Sequence, residues 1–192
     1  MAETSPSLLN RCRQRHDNES WQRLVELYTP FIHGLRIRHN IPQEDARDLA
    51  QEVLAIVARE LPTFEYDPKR GTFRGWLRTI TVNCLRAYWR SRTPRGTGDS
   101  DVQEMLNQLA DPNSEASRVW DREHDQFVWR RLVELVKPEF EPSTWQAFCL
   151  VTLEGVKPAQ AAKKVGITTN AVFIAKSRVM RRLKEEAAGL ID

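Results

Sequence analysis

Cysteine and histidine are scarce here: the 192 residues hold three and four of them. Cys12, Cys84 and Cys149 are odd in number and form no Cys-x-x-Cys pair. Two of them fall on apolar helix faces, so they read as small core hydrophobes in a reducing compartment. The histidines are scattered without ligand spacing, which argues against a zinc site, and neither a metal nor a cofactor is expected. No apolar run approaches the roughly 20 residues of a membrane span. The polar opening Met1-Ala2-Glu3-Thr4-Ser5 lacks the pattern of a signal peptide. The expectation is a cytoplasmic protein without membrane insertion. Strand-like alternation and internal repeats are missing as well. One further absence is local: residues 69–95 contain no Asp or Glu, against eight Lys or Arg.

That basic stretch is patterned as a helix with two faces. Phe73, Trp76, Leu77, Ile80, Cys84, Leu85 and Tyr88 recur three and four apart, as one buried stripe requires. At 100° per residue, Arg78, Thr79, Val82, Asn83, Arg86 and Arg90 fall on the other side. Cations beside an anchored helix suit a polyanion, because phosphate contact releases counterions. A solvated basic face is the alternative.

The preceding helix has the opposite character. Pro42 with Gln43, Glu44 and Asp45 suits a helix start, where negative charge is favoured. Ala46, Leu49, Ala50, Val53, Val57 and Leu61 form its buried stripe, and Asp48, Gln51, Glu52 and Ala55 share the outward side. Further helices are expected near 6–15 and 20–38, the second kinked or broken at Pro30.

Residues 93–115 are rich in Gly, Pro, Ser and Asp, with five acids against Arg95 alone. They suggest an acidic flexible linker, within which Val102 to Leu109 can form a short turn of helix. After it, Trp120, Phe127, Val128, Leu132, Leu135 and Val136 mark another amphipathic helix. Pro142 opens a helix to about Leu153, and Pro158 a short one to Val165. Gly166 supplies a tight turn, and Thr168 or Thr169 caps a last helix to about Glu186. Val172, Ala175, Val179 and Leu183 form the buried stripe of that helix. Asn170, Phe173, Ile174, Ser177, Arg178 and Arg181 face outward, with Lys176 and Lys184 beside them. This spacing matches a helix-turn-helix, whose second helix enters the DNA major groove. There Asn reads adenine, Arg takes guanine or phosphate, and an apolar side chain meets a thymine methyl. Hydrophobic residues make up 41% and charged residues 29%, with a net charge of only +3, so the basic character is concentrated locally. The chain reads as all-α, in two small helical domains: 1–92, the linker 93–115, and 116–192.

Three motifs in order resemble one family. Asp45-Ala46-Arg47-Asp48-Leu49-Ala50-Gln51-Glu52-Val53 is followed by Phe64-Glu65-Tyr66-Asp67-Pro68-Lys69-Arg70-Gly71 and then by Thr72-Phe73-Arg74-Gly75-Trp76-Leu77. Together they resemble the promoter-melting domain of bacterial RNA polymerase sigma factors, most of all the extracytoplasmic-function group of the sigma-70 family. The resemblance covers about residues 5–92 and 116–187. It implies a sigma factor that binds core RNA polymerase and directs transcription initiation, with the catalysis left to the polymerase. Asp48, Gln51 and Glu52 would dock on the β′ clamp helices, and the polymerase β flap would be a further contact. Asp67, Lys69, Arg70, Arg74, Arg78, Asn83, Arg86 and Arg90 would serve “−10” recognition and melting. The loop Glu65 to Gly71 would receive a base turned out of the stack. Thr168, Thr169, Asn170, Phe173, Lys176, Ser177, Arg178 and Arg181 would read the “−35” element. Phe173 and Ile174 depart from the Lys and Ser common in the family. The resemblance also implies a linker threading the RNA exit channel and an anti-sigma partner, although no residue identifies that partner.

Two other classes compete. A helix-turn-helix regulator binding duplex without polymerase would use 142–186, but it would leave the acidic and basic helices idle. It also predicts a dimer, for which no heptad is present. A helical nuclease would need clustered carboxylates or a nucleophile with its base, whereas the carboxylates here lie in the linker or on exposed faces.

Overall fold

The computed structural model describes residues 7–14, 17–38, 41–64, 72–92 and 100–191. Nine α-helices occur among them, with no strand beyond an isolated bridge between Ala188 and Ile191. None of these helices is long and apolar enough to cross a membrane. Two compact units result: Ser7–Val128 with the chain's last residues from Ala188, and Trp129–Ala187.

The first unit begins with α1 (Leu8–Arg13), capped by the Ser7 hydroxyl, and α2 (Asn18–Arg38). Asp17 caps α2 by accepting from the Ser20 backbone N–H at 2.9 Å and the Ser20 hydroxyl at 2.7 Å. Those bonds to its charged form hold the Asp17 carboxyl below its usual pKa. α2 runs through Pro30 rather than breaking there. The bond that Pro30 removes would have used the Glu26 carbonyl. Both residues are exposed, so water can satisfy that carbonyl.

α3 (Gln43–Glu60) buries Ala46, Leu49, Ala50, Val53 and Val57, the stripe its period requires, and Leu61 just beyond its end is buried too. α4 (Phe73–Arg92) starts where the Thr72 hydroxyl accepts the Gly75 N–H at 3.1 Å. It buries Phe73, Leu77, Ile80, Cys84 and Leu85 on the expected side. It also buries Arg78, Thr81 and Val82, which one stripe does not explain.

The second buried side of α4 has a cause downstream. Residues 100–110 form α5 (Ser100–Ala110), which packs on α4 and buries Leu106 and Leu109. The flexible linker expected at 93–115 is therefore, from Ser100 onward, an element of the first unit. Its acidic composition concealed an apolar pair three residues apart. The Ser117 hydroxyl ties the following turn to the Leu109 carbonyl at 3.0 Å and the Asp111 carbonyl at 2.6 Å. α6 (Glu115–Val136) then contributes to both units, and the division between them falls after Val128 rather than near residue 92. Its Trp120 sits edge-on to Phe31 at 5.1 Å, beneath the first half of the helix.

The second unit comprises the rest of α6, α7 (Pro142–Phe148) running into a π-helical turn (Cys149–Leu153), α8 (Pro158–Val165) and α9 (Thr169–Ala187). Gly166 adopts φ 77°, the left-handed cap that lets its own N–H and that of Ile167 bond the Ala162 carbonyl at 2.9 and 3.1 Å. Ala147, Leu150, Ala161, Ala162, Val172 and Ala175 close the core, and small residues at 161, 162 and 175 allow close helix crossing.

Candidate nucleic-acid and polymerase interfaces

Three surfaces carry the residues singled out in the sequence. The first is the outward side of α3, where Asp48, Gln51 and Glu52 are all exposed. Asp45, one turn earlier, is already neutralised. The Tyr88 hydroxyl donates to it at 3.0 Å, Arg92 pairs with it, and the Arg92 guanidinium stacks 4.8 Å from the Tyr88 ring centroid. Asp48 and Glu52 line an open groove between α3 and α4 with Leu49, Tyr88 and Ser91. Two carboxylates one turn apart, beside a floor of mixed polarity that includes Leu49, Ala87 and Tyr88, suit a basic helix from a partner.

The second surface is α4, whose polar side chains are treated differently along its length. Asn83 and Arg90 are exposed as expected, and Arg86 is half-buried, donating to Asn107 of α5 at 3.0 Å. Arg74 and Arg78, by contrast, are engaged by α6. Arg78 donates to Asp121 at 2.8 Å and is only 7% exposed. Arg74 donates to Asp125 at 2.5 Å, and its Nε lies 3.4 Å from Asp121. The outward face assigned to Arg78 is thus covered, because the helical period of α4 cannot register a later helix lying across it. Burial pushes the Asp125 carboxyl up, but hydrogen bonds from His124 and Arg74, with their charges, outweigh it and leave its pKa below the ordinary value. Asp67, Lys69 and Arg70 lie outside the described residues.

Sequence reasoning missed the acidic partners on α6. Asp121 and Asp125 stand one turn apart, as Arg74 and Arg78 do, and that matched spacing is the available signal. Nothing local tells which helix meets which across more than forty residues. The buried His124 between them was also missed. Its Nε2 lies 3.0 Å from the Tyr28 hydroxyl and its Nδ1 3.0 Å from Asp125.

The third surface is α9. Val172, Ala175, Val179 and Leu183 are buried, and Asn170, Phe173, Ile174, Lys176, Ser177, Arg178 and Arg181 are exposed. Thr168 caps the helix, accepting the Ala171 N–H at 3.1 Å, and Thr169 opens it beside the tight turn. Phe173 is 55% exposed and Ile174 44%, next to Lys176 and Arg178. Helix, left-handed glycine turn and helix, with a polar and cationic outer side on the second helix, are the parts of a groove-reading motif.

Comparison with known proteins bears on the first unit. Residues 24–95 match the family described as Sigma-70 region 2. Over 73 residues the chain is 41% identical to the ECF RNA polymerase sigma factor SigE of Mycolicibacterium smegmatis (strain ATCC 700084 / mc(2)155). That stretch is 38% of this chain, and the chain spans only 27% of the length of the relative it matches. The matched segment contains α3 with its exposed Asp48, Gln51 and Glu52, and α4 with its basic face. Residues 24–95 thus resemble a sigma-70 region 2 domain, and the likeness to the curated relative is of about the same length.

Proposed function

We propose that the chain is a sigma factor, which binds core RNA polymerase, brings it to promoter DNA and starts transcription there without catalysing the chemistry itself. The observation that carries this reading is an exposed acidic α3 face and a basic α4 within one matched sigma-70 region 2 domain. A regulator binding duplex through α8 and α9 alone leaves that domain without a role.

In this reading Asp48, Gln51 and Glu52 dock on the basic β′ clamp helices of the polymerase, with the β flap as a further contact. Asn83, Arg86 and Arg90 follow the “−10” strand, the Arg side chains on phosphates and Asn83 at a base edge. The segment with Asp67, Lys69 and Arg70 receives an unstacked base, at a cost of a few kcal/mol that stacking and cationic contacts offset. Arg74 and Arg78 join this surface only when released from α6. On the second unit, Thr168, Thr169, Asn170, Phe173, Lys176, Ser177, Arg178 and Arg181 meet the “−35” duplex. Lys176, Arg178 and Arg181 supply charge there, and Phe173 an apolar contact for a thymine methyl. The protein works in the cytoplasm, and an anti-sigma factor restrains it.

The testing experiment is reconstitution. Purified chain added to sigma-free core polymerase is expected to give transcripts from discrete promoters on a linear genomic template. Absence of promoter-directed transcripts, with binding to duplex sites by the chain alone, would favour the regulator.

A further inference from the structure

The outward side of α9 carries an apolar pair among its polar and cationic side chains. Opposite the buried stripe of Val172, Ala175, Val179 and Leu183, the helical period sets Asn170, Ser177 and Arg181 along the outer midline. Phe173 falls about 60° to one side of Asn170 and Ile174 about 40° to the other, with Lys176 and Arg178 further round on the two flanks. All of these outer side chains are exposed, and Thr169 to Lys184 contains no Asp or Glu. Phe173 and Ile174 stand in the first two turns, the part of a recognition helix that reaches base edges. Among the described residues they are the only large apolar side chains of α9 left exposed, so no apolar patch runs on along the helix as a protein-docking face requires. The major groove has an apolar feature of matching scale, the C5 methyl of thymine. Cations on both flanks match the phosphates that wall such a groove.

We propose that Phe173 and Ile174 are specificity-determining residues that read two thymine methyls flanking the base pair met by Asn170, so that the upstream element holds a short run of A·T pairs. The proposal rests on α9 entering the upstream duplex and adds which bases it selects there. Uracil in place of thymine removes the methyl alone and keeps every hydrogen-bonding group, so it isolates this contact.

The test uses the full chain bound to core polymerase and a duplex library randomised over the upstream region. The best-selected duplex is then remade with uracil in place of each thymine in turn, on both strands. Two positions are expected to lose roughly fourfold in affinity each, about the contribution of one buried methyl, and the others little. Phe173→Ala should abolish the response at one position and Ile174→Ala at the other. Neither should change the salt slope, since no phosphate contact is lost. Wild-type affinity indifferent to uracil at every position would overturn the proposal, and that arm needs no variant to fold. A response that persists unchanged in both variants would overturn it too, and would leave the pair to a protein surface. Arg178→Ala with Arg181→Ala separates the underlying reading. If that pair leaves affinity and salt slope on the selected duplex unchanged, α9 does not meet the duplex. If it lowers both while uracil has no effect, only the thymine reading fails.

Discussion

α4 and α9 each carry five cations on an amphipathic helix, yet the two units treat them differently. On α4, Arg74 and Arg78 are held by Asp121 and Asp125, Arg86 by Asn107, and Arg92 by Asp45. On α9, Lys176, Arg178 and Lys184 are exposed, and Arg181 reaches Glu185 only at 3.9 Å with 73% of its side chain in solvent. Arg182 alone is drawn in, donating to Glu139 at 2.6 Å and pairing with Glu186. A count of basic residues therefore overstates the charge that α4 can offer a ligand and describes that of α9 fairly. The cause is architectural. α9 ends its unit's helix order with an open outer side, whereas α4 is followed by two helices that fold back onto it.

The largest expected effect contrasts the units through a third surface. Glu52→Lys sets a like charge where a basic partner helix is proposed, and the site is exposed, so the fold should hold. Association with core polymerase is expected to fall by roughly a hundredfold or more, since a like-charge juxtaposition costs several kcal/mol. Pull-down of core enzyme, with circular dichroism as the folding control, measures it. Unchanged association would remove α3 from the interface. No such loss is expected from Arg178→Ala in the second unit.

Next comes a test of how firmly α6 belongs to the first unit. Trp120 is fully buried and edge-on to Phe31, so Trp120→Ala should destabilise that unit by about 3–5 kcal/mol. Chemical denaturation followed by amide exchange should show the loss in 7–128 and spare the α7–α9 core. A loss spread evenly over both units would blur the comparison.

The cations of α9 should behave as free ones. Arg178→Ala and Arg181→Ala are each expected to lower the salt slope of upstream duplex binding by about one, with little change in stability. They should leave transcription from a pre-melted template nearly intact. Asn83→Ala with Arg86→Ala should do the reverse, impairing opening while sparing upstream binding. Footprinting on matched linear and pre-melted templates separates the two. Equal damage to both steps from either pair would dissolve the proposed division of labour.

The smallest effect is acid sensitivity of the α4–α6 seam. The folded-state pKa of Asp125 is depressed, so its stabilising contribution is complete above the unfolded value of about 4 and is lost as pH falls below it. The difference in thermal midpoint between wild type and Asp125→Asn should stay constant above about pH 5 and shrink below pH 4. A difference that is the same at pH 3 and pH 7 would mean the carboxylate charge contributes nothing.

Much of this was legible in the chain because helical period and capping are local. The stripes of α3 and α9 follow the sequence at every position argued, as do the turn at Gly166 and the cap at Thr168, one of the two threonines expected there. Two features were not legible. Leu106 and Leu109 sit in an acidic, polar stretch whose composition reads as solvated, and their burial depends on an apolar surface that α4 provides far away in sequence. Arg78 and Val82 fall on the outward side of the α4 stripe, and a period states only where the first packing partner lies. Pro30 shows the same limit from another side, because the sequence does not tell that the Glu26 carbonyl it orphans lies where water can reach it and α2 can continue.

The proposal that this chain works through polymerase, with α4 as a melting surface, is tested most directly by permanganate footprinting of a linear promoter with chain alone, core alone, and both together. Weak upstream contact and no reactive thymines are expected with the chain alone. With chain and core together, strong reactivity is expected around the start site, lost with Asn83→Ala and Arg86→Ala. Tight duplex binding by the chain alone, with no reactive thymines after core is added, would contradict it.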